Sequence, residues 1–97
     1  MARARSRSEP RRVSLGEDLR IGRAREVADL LSQAATEGVV EIDAARVERV
    51  DAAGLQALAA GIARLRAAHV TCRWGAVSPT LSSSAAVAGL ASALELP

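Results

Sequence analysis

Few side chains in this sequence could do chemistry. There is one histidine, His69, and one cysteine, Cys72. Asp43 and Asp51 each stand at the end of a strand-like run, and Ser6 and Ser8 are flanked by arginines. A general base needs a group that orients it, and no cluster of Cys, Asp or Glu at metal-ligand spacing accompanies His69. It reads as a helix-end residue, where a partly charged imidazole complements the dipole. Cys72 has no partner for an internal disulfide, fits a reducing compartment, and reads as a small core residue. Two acids near strand ends usually cap or solvate, which is the reading of Asp43 and Asp51. The arginine-flanked serines form a pattern common by chance. The sequence holds no Ser/His/Asp set at a nucleophile turn, no glycine-rich phosphate loop, no H-E-x-x-H and no paired cysteines. The expectation is a protein that is not an enzyme, uses no cofactor or metal, and acts by binding another protein.

The residues best placed to do that lie in Val47-Glu-Arg-Val-Asp51-Ala-Ala-Gly-Leu-Gln-Ala-Leu58. Val47 and Val50 supply β-branched strand character. Asp51 stands where an N-cap belongs, since its carboxylate can accept the first unpaired helical N–H groups and complement the dipole. Ala52 and Ala53 begin the helix, and Gly54 lets another backbone approach closely. Leu55, Leu58, Ile62 and Leu65 then recur at three- and four-residue spacing, making one apolar stripe to about Ala68. Gly61 inside that helix costs about 1 kcal/mol relative to Ala, which suggests a close neighbour.

The other elements must hold this turn in place. Residues 1–11 read as a disordered, flexible arginine-rich arm, ahead of a domain over 12–97. Val13, Leu15, Leu19 and Ile21 alternate with polar residues about Gly16-Glu17-Asp18, the pattern of a half-buried hairpin. Residues 23–36 place Val27, Leu30, Leu31, Ala34 and Ala35 on one helical face, with Gly38 as the stop. Residues 39–43 and 47–50 are strand-like, as one bent strand or two. Residues 70–75 form another strand. Ser78-Pro79 then opens a helix to about Ala88, anchored by Leu81, Ala85 and Val87 and closed by Gly89. Leu90, Leu94 and Leu96 make a last short turn. Helices separating strands imply a mostly parallel or mixed sheet.

The totals agree. Ninety-seven residues make one small domain. The chain has no Phe or Tyr, so Trp74 is the only possible aromatic in an aliphatic core. Net charge is +2, but residues 1–12 carry five Arg against one Glu and the rest eight Arg against ten acids. The basic character therefore belongs to the arm. A nucleic-acid interface would put positive charge on a folded face with aromatics or a presented helix, and none is expected. With no apolar h-region and no apolar run near ~18 residues, neither a secretory signal nor an integral membrane segment is read, and the expected location is cytoplasmic.

Five points in register carry a family resemblance: Val40-Glu-Ile-Asp43, Asp51-Ala-Ala-Gly-Leu55, a strand ending near Trp74, Ser78-Pro-Thr-Leu81, and Gly89-Leu90. Together they resemble the STAS domain, found in bacterial anti-sigma-factor antagonists and in a STAS subunit of a phospholipid-trafficking ABC transporter. The resemblance implies an α/β fold with a mixed four- to five-stranded sheet and helices packed mainly on one face. It also implies a partner-binding tip formed by Asp51, Ala52, Ala53, Gly54, Leu55 and Gln56. Antagonists carry a phosphoacceptor Ser or Thr between that Asp and Gly. Here Ala52 and Ala53 stand in those positions, so no phosphoacceptor is implied at the tip. The partner types implied are an anti-sigma factor or related kinase, a chemotaxis-type signalling complex, or a transporter ATPase. The run Gly54-Leu55-Gln56 resembles the transporter-type or chemotaxis-associated branches.

Overall fold

The computed structural model describes residues 11–34 and 38–97. Residues 1–10 of the expected arm, and Ala35 of the first helix, lie outside the described residues. In order, the elements are β1 (Arg11–Ser14), β2 (Asp18–Leu19), a 3-10 turn (Ile21–Arg23), α1 (Ala24–Ala34), β3 (Val39–Ala44), β4 (Arg49–Val50), α2 (Ala52–Ala67), β5 (Thr71–Val77), α3 (Pro79–Ala88) and α4 (Ala91–Leu94).

The fold is α/β, as expected, but its strands divide differently. Five strands occur among the described residues, in two ladders rather than one mixed sheet: β1-β3-β5 and β2-β4. Every pairing is parallel. The expected hairpin over 12–21 is therefore corrected. After β1 the chain continues in the same direction, Leu15 N–H donating to the Asp43 carbonyl and the Glu17 carbonyl accepting from Glu48 and Arg49. Alternation had assigned faces properly, for Val13, Leu15 and Leu19 are all buried. A period of two states which face is inward and is silent on direction or partner. Ile21 departs from the pattern, lying 70% exposed in the 3-10 turn. The stretches at 39–44 and 49–50 are two separate strands.

In the central strand β3, Val40, Ile42 and Ala44 are buried while Val39, Glu41 and Asp43 are half-buried on the opposite face. The buried face meets the helical side of the core, including Val27 and Leu31 of α1, Leu58, Ile62 and Leu65 of α2, and Leu81 of α3. The opposite face carries Glu41 between Arg12 (3.6 Å) and Arg73 (4.0 Å), partly exposed pairs that suit a solvated surface more than they stabilise it. Gly61 has the expected packing reason: a Cβ there would sit 2.5 Å from Leu31 Cδ1, where α1 crosses α2. Trp74 is half-buried, and its Nε1–H donates to the Leu94 carbonyl at 2.9 Å, tying α4 to β5.

Helix ends follow local chemistry. After α2, Val70 N–H donates to the Leu65 carbonyl and His69 N–H to the Arg66 carbonyl, with His69 left-handed at φ 66°. This is a Schellman closure. Gly89 closes α3 in the same way, with Leu90 N–H on Ala85 and φ 74°.

Candidate functional site

Two strand-to-helix turns start the helices that border the candidate site. In the first, Asp51 is extended (φ −132°, ψ 173°) and caps α2, its Oδ1 accepting from Gly54 N–H at 2.8 Å. Its Oδ2 accepts from Ile21 N–H at 3.0 Å, across thirty residues of sequence. The carboxylate thus pins the 3-10 turn to the start of α2. These bonds, Gly54 first and Ile21 second, with Arg20 nearby, hold the Asp51 carboxyl below its ordinary pKa of 3.8. Beside it Arg20 forks onto Asp18 at 2.8 and 2.9 Å, and that hydrogen bonding lowers the Asp18 pKa as well.

In the second turn, Ser78 caps α3, its Oγ accepting from Leu81 N–H at 3.1 Å, with Pro79 in the first helical turn. Ser78 is buried, and its own N–H donates to the Ala44 carbonyl at 3.0 Å. Leu81 and Ala85 are fully buried and anchor α3. Val87, expected as a third anchor, is instead 91% exposed. Two buried positions one turn apart suffice to seat a ten-residue helix, and the rest of its surface is left outward.

Between the start of α2 and the C-terminal half of α3 runs an open groove of about 370 Å³. Val50, Asp51, Ala52 and Leu55 form one wall, and Ser83, Ser84, Val87 and Ala88 form the other. Of the six residues expected at the tip, the groove takes Asp51, Ala52 and Leu55. Asp51 is half-buried with both carboxylate oxygens already accepting backbone N–H groups. Ala52 is exposed, and Leu55, 2% exposed, belongs to the floor and does not project. Ala53 is half-buried and Gln56 is exposed, both outside the groove lining. Gly54 is buried against this chain's own backbone: a Cβ there would collide with the Leu19 carbonyl. The close approach expected at Gly54 is therefore filled from within.

The α3 wall was not foreseen from the sequence, although a signal for it exists. Residues 52–63 and 74–94 contain no Asp, Glu, Lys or Arg, in a chain otherwise dense in charge. The groove's lining therefore holds a single charged side chain, Asp51.

The remaining chemical side chains are placed apart. Asp43 Oδ1 accepts from Ala45 N–H at 3.0 Å, closing a turn. Cys72 is half-buried and packs against the core, and burial pushes its thiol pKa up, away from the reactive thiolate. Among the described residues, no group of three or more His, Cys, Asp or Glu could hold a metal ion, and no helix is long and apolar enough to cross a membrane.

No curated protein and no solved structure matches the chain. A family model described as "Mlab, STAS domain" matches residues 2–96, spanning both ladders and both helix starts. By that match, the chain belongs to the STAS domain family, whose members generally serve as protein-interaction modules.

Proposed function

We propose that this protein is a non-catalytic regulatory module of the anti-sigma-factor-antagonist kind that docks a protein partner at the 51–56 tip, without a phosphoacceptor there. The observation that carries this reading is the mostly apolar groove that begins at Asp51, Ala52 and Leu55 and is completed by α3, with Asp51 as the one charged side chain of its lining. A partner side chain entering it finds mostly apolar walls and one carboxylate whose oxygens already accept two backbone N–H groups, so an apolar anchor is favoured and a buried anion is penalised. Ala52 and Ala53 offer no hydroxyl for phosphoryl transfer, so docking at this turn is constitutive or governed from another position. Asp51 is a positioning residue. Its carboxylate is spent on the Gly54 and Ile21 N–H groups and shapes the tip.

A second reading is an accessory subunit that binds the ATPase of a phospholipid-trafficking ABC transporter. It is favoured by Gly54-Leu55-Gln56 following two alanines, which resembles that branch more closely than a Ser-bearing antagonist. Both readings use the same surface.

The test is capture from an extract of the source cells with wild type, Ala52→Arg and Ser32→Arg. Ala52 is exposed on the groove wall, whereas Ser32 is exposed on α1. Expected is a partner retained by wild type and Ser32→Arg and lost by Ala52→Arg. Its identification as an anti-sigma factor, a signalling component or an ATPase separates the readings. Equal capture by a folded Ala52→Arg variant contradicts docking at the tip.

A further inference from the structure

We infer that the outer edge of β5 is a second docking site, which takes an extended segment of another protein with an acidic side chain set against Arg73. It lies apart from the groove and shares none of its lining residues. β5 is an outer strand of the β1-β3-β5 ladder. Thr71 N–H donates to the Gly38 carbonyl, towards β3. Backbone groups of successive strand residues point to opposite sides, so those of Cys72 and Trp74 point away from β3. Among the described residues, no backbone group beyond β5 pairs with them. Water can satisfy such groups singly, whereas another extended backbone supplies donors and acceptors at the matching repeat. β5 also carries few of the devices that blunt an edge. It runs seven residues, Thr71–Val77, with no proline and with Arg73 as its one charge. Its pairing with β3 stays regular through Trp74 and shifts only beyond it. The opposite outer strand, β1, has four residues, two of them arginine.

The charge beside this edge selects what the segment carries. An open recess of about 260 Å³ adjoins it, lined by Arg66, Cys72, Arg73, Trp74, Glu95 and Pro97. Arg66 already holds a carboxylate there, that of Glu95 at 2.9 Å. Arg73 has no such close partner. Its acidic neighbour Glu41 is 4.0 Å away and is shared with Arg12, and the Arg73 side chain stays 59% exposed. A carboxylate brought in by a partner strand gains a charge-assisted contact with that guanidinium. A cation in the same place meets Arg66 and Arg73, with Glu95 already taken. The same rule disfavours a second copy of this chain, which would bring its own Arg66 and Arg73 to the shared edge.

The experiment uses isotope-labelled full chain and two short blocked peptides of alternating Thr and Val, identical except for a central Glu or Lys. Each is titrated to about 2 mM and followed by NMR, a range that reveals millimolar binding. The Glu peptide is expected to shift the amides of Cys72 and Trp74 and to leave those of Ser83 and Val87 in the groove unmoved. The Lys peptide is expected to bind at least about tenfold more weakly, and Arg73→Glu to reverse that preference. Methylating the backbone nitrogens of the Glu peptide is expected to abolish binding. In the dilute chain without peptide, the Cys72 and Trp74 amides are expected to exchange with solvent at least about tenfold faster than that of Arg73, which faces β3. Equal protection of the three amides overturns the inference, because the edge is then already covered. Protection of Cys72 and Trp74 that grows with chain concentration overturns it in favour of a second copy. No shift at Cys72 and Trp74 with the Glu peptide, or equal affinity for the Glu and Lys peptides, also overturns it. Docking at the groove is judged separately, by the capture with Ala52→Arg.

Discussion

The turns at Asp51 and Ser78 are built on one plan and hold their helices by different means. Each N-cap oxygen accepts the N–H three residues on, from Gly54 in one case and Leu81 in the other. At Ser78 the cap is buried and the third helical residue, Leu81, drives a large side chain into the core. At Asp51 the cap is half-buried and charged, and the third residue has no side chain because the Leu19 carbonyl fills its place. The α3 turn is held by apolar burial, the α2 turn by backbone contact and a carboxylate. Because the Asp51 turn puts little side-chain bulk outward, it leaves a shallow recess that α3 completes as a groove.

That contrast can be broken at either third residue. Leu81→Ala empties a fully buried site and is expected to cost about 3 kcal/mol in urea unfolding, by lost transfer energy plus a cavity. Gly54→Ala adds one methyl against backbone that cannot swing aside, and a loss of about 2 kcal/mol or more is expected from the same measurement. If Gly54→Ala proved neutral, the Leu19 carbonyl would not be pressed on α2. Smaller effects separate the caps themselves. Ser78→Ala removes a neutral cap whose contribution does not depend on acid, with an expected loss of about 1 kcal/mol from pH 7 down to pH 3.

Asp51→Asn sharpens the difference through pH. The Asp51 carboxyl is held below its ordinary value of 3.8 when folded, so its contribution is fully present above that value and declines as pH falls through the lower folded value. Asn still caps but does not titrate. Wild type should therefore lose melting temperature in acid more steeply than Asp51→Asn, and parallel curves would show that Asp51 is not the group involved. Asp18 shares the lowered direction through Arg20, so part of the acid slope survives in the variant.

Much of this architecture was legible in the sequence because it is local. Asp51 with Ala52, and Ser78 with Pro79 and Gly89, marked helix starts and an end that the structure keeps. Leu55, Leu58, Ile62 and Leu65 lie buried at the spacing that announced them. The direction of the chain after Val13 was not legible. A parallel crossover and a hairpin share one alternation, and the choice is made by contacts with residues 43–50. Nor was the groove's second wall, which depends on residues in the eighties reaching those in the fifties. Val87 fits an apolar face by type, yet burial of Leu81 and Ala85 turns it outward.

The most direct measurement of the groove's role is a titration of the captured partner into isotope-labelled protein, followed residue by residue by NMR. Expected are the largest shift changes at Ala52, Ala53 and Gln56 together with Ser83, Ser84 and Val87, the α2 turn and the outward face of α3 responding as one surface. Changes centred on Arg12, Glu41 and Arg73, with both walls of the groove silent, would contradict docking at the groove and move the interface to the charged face of the sheet.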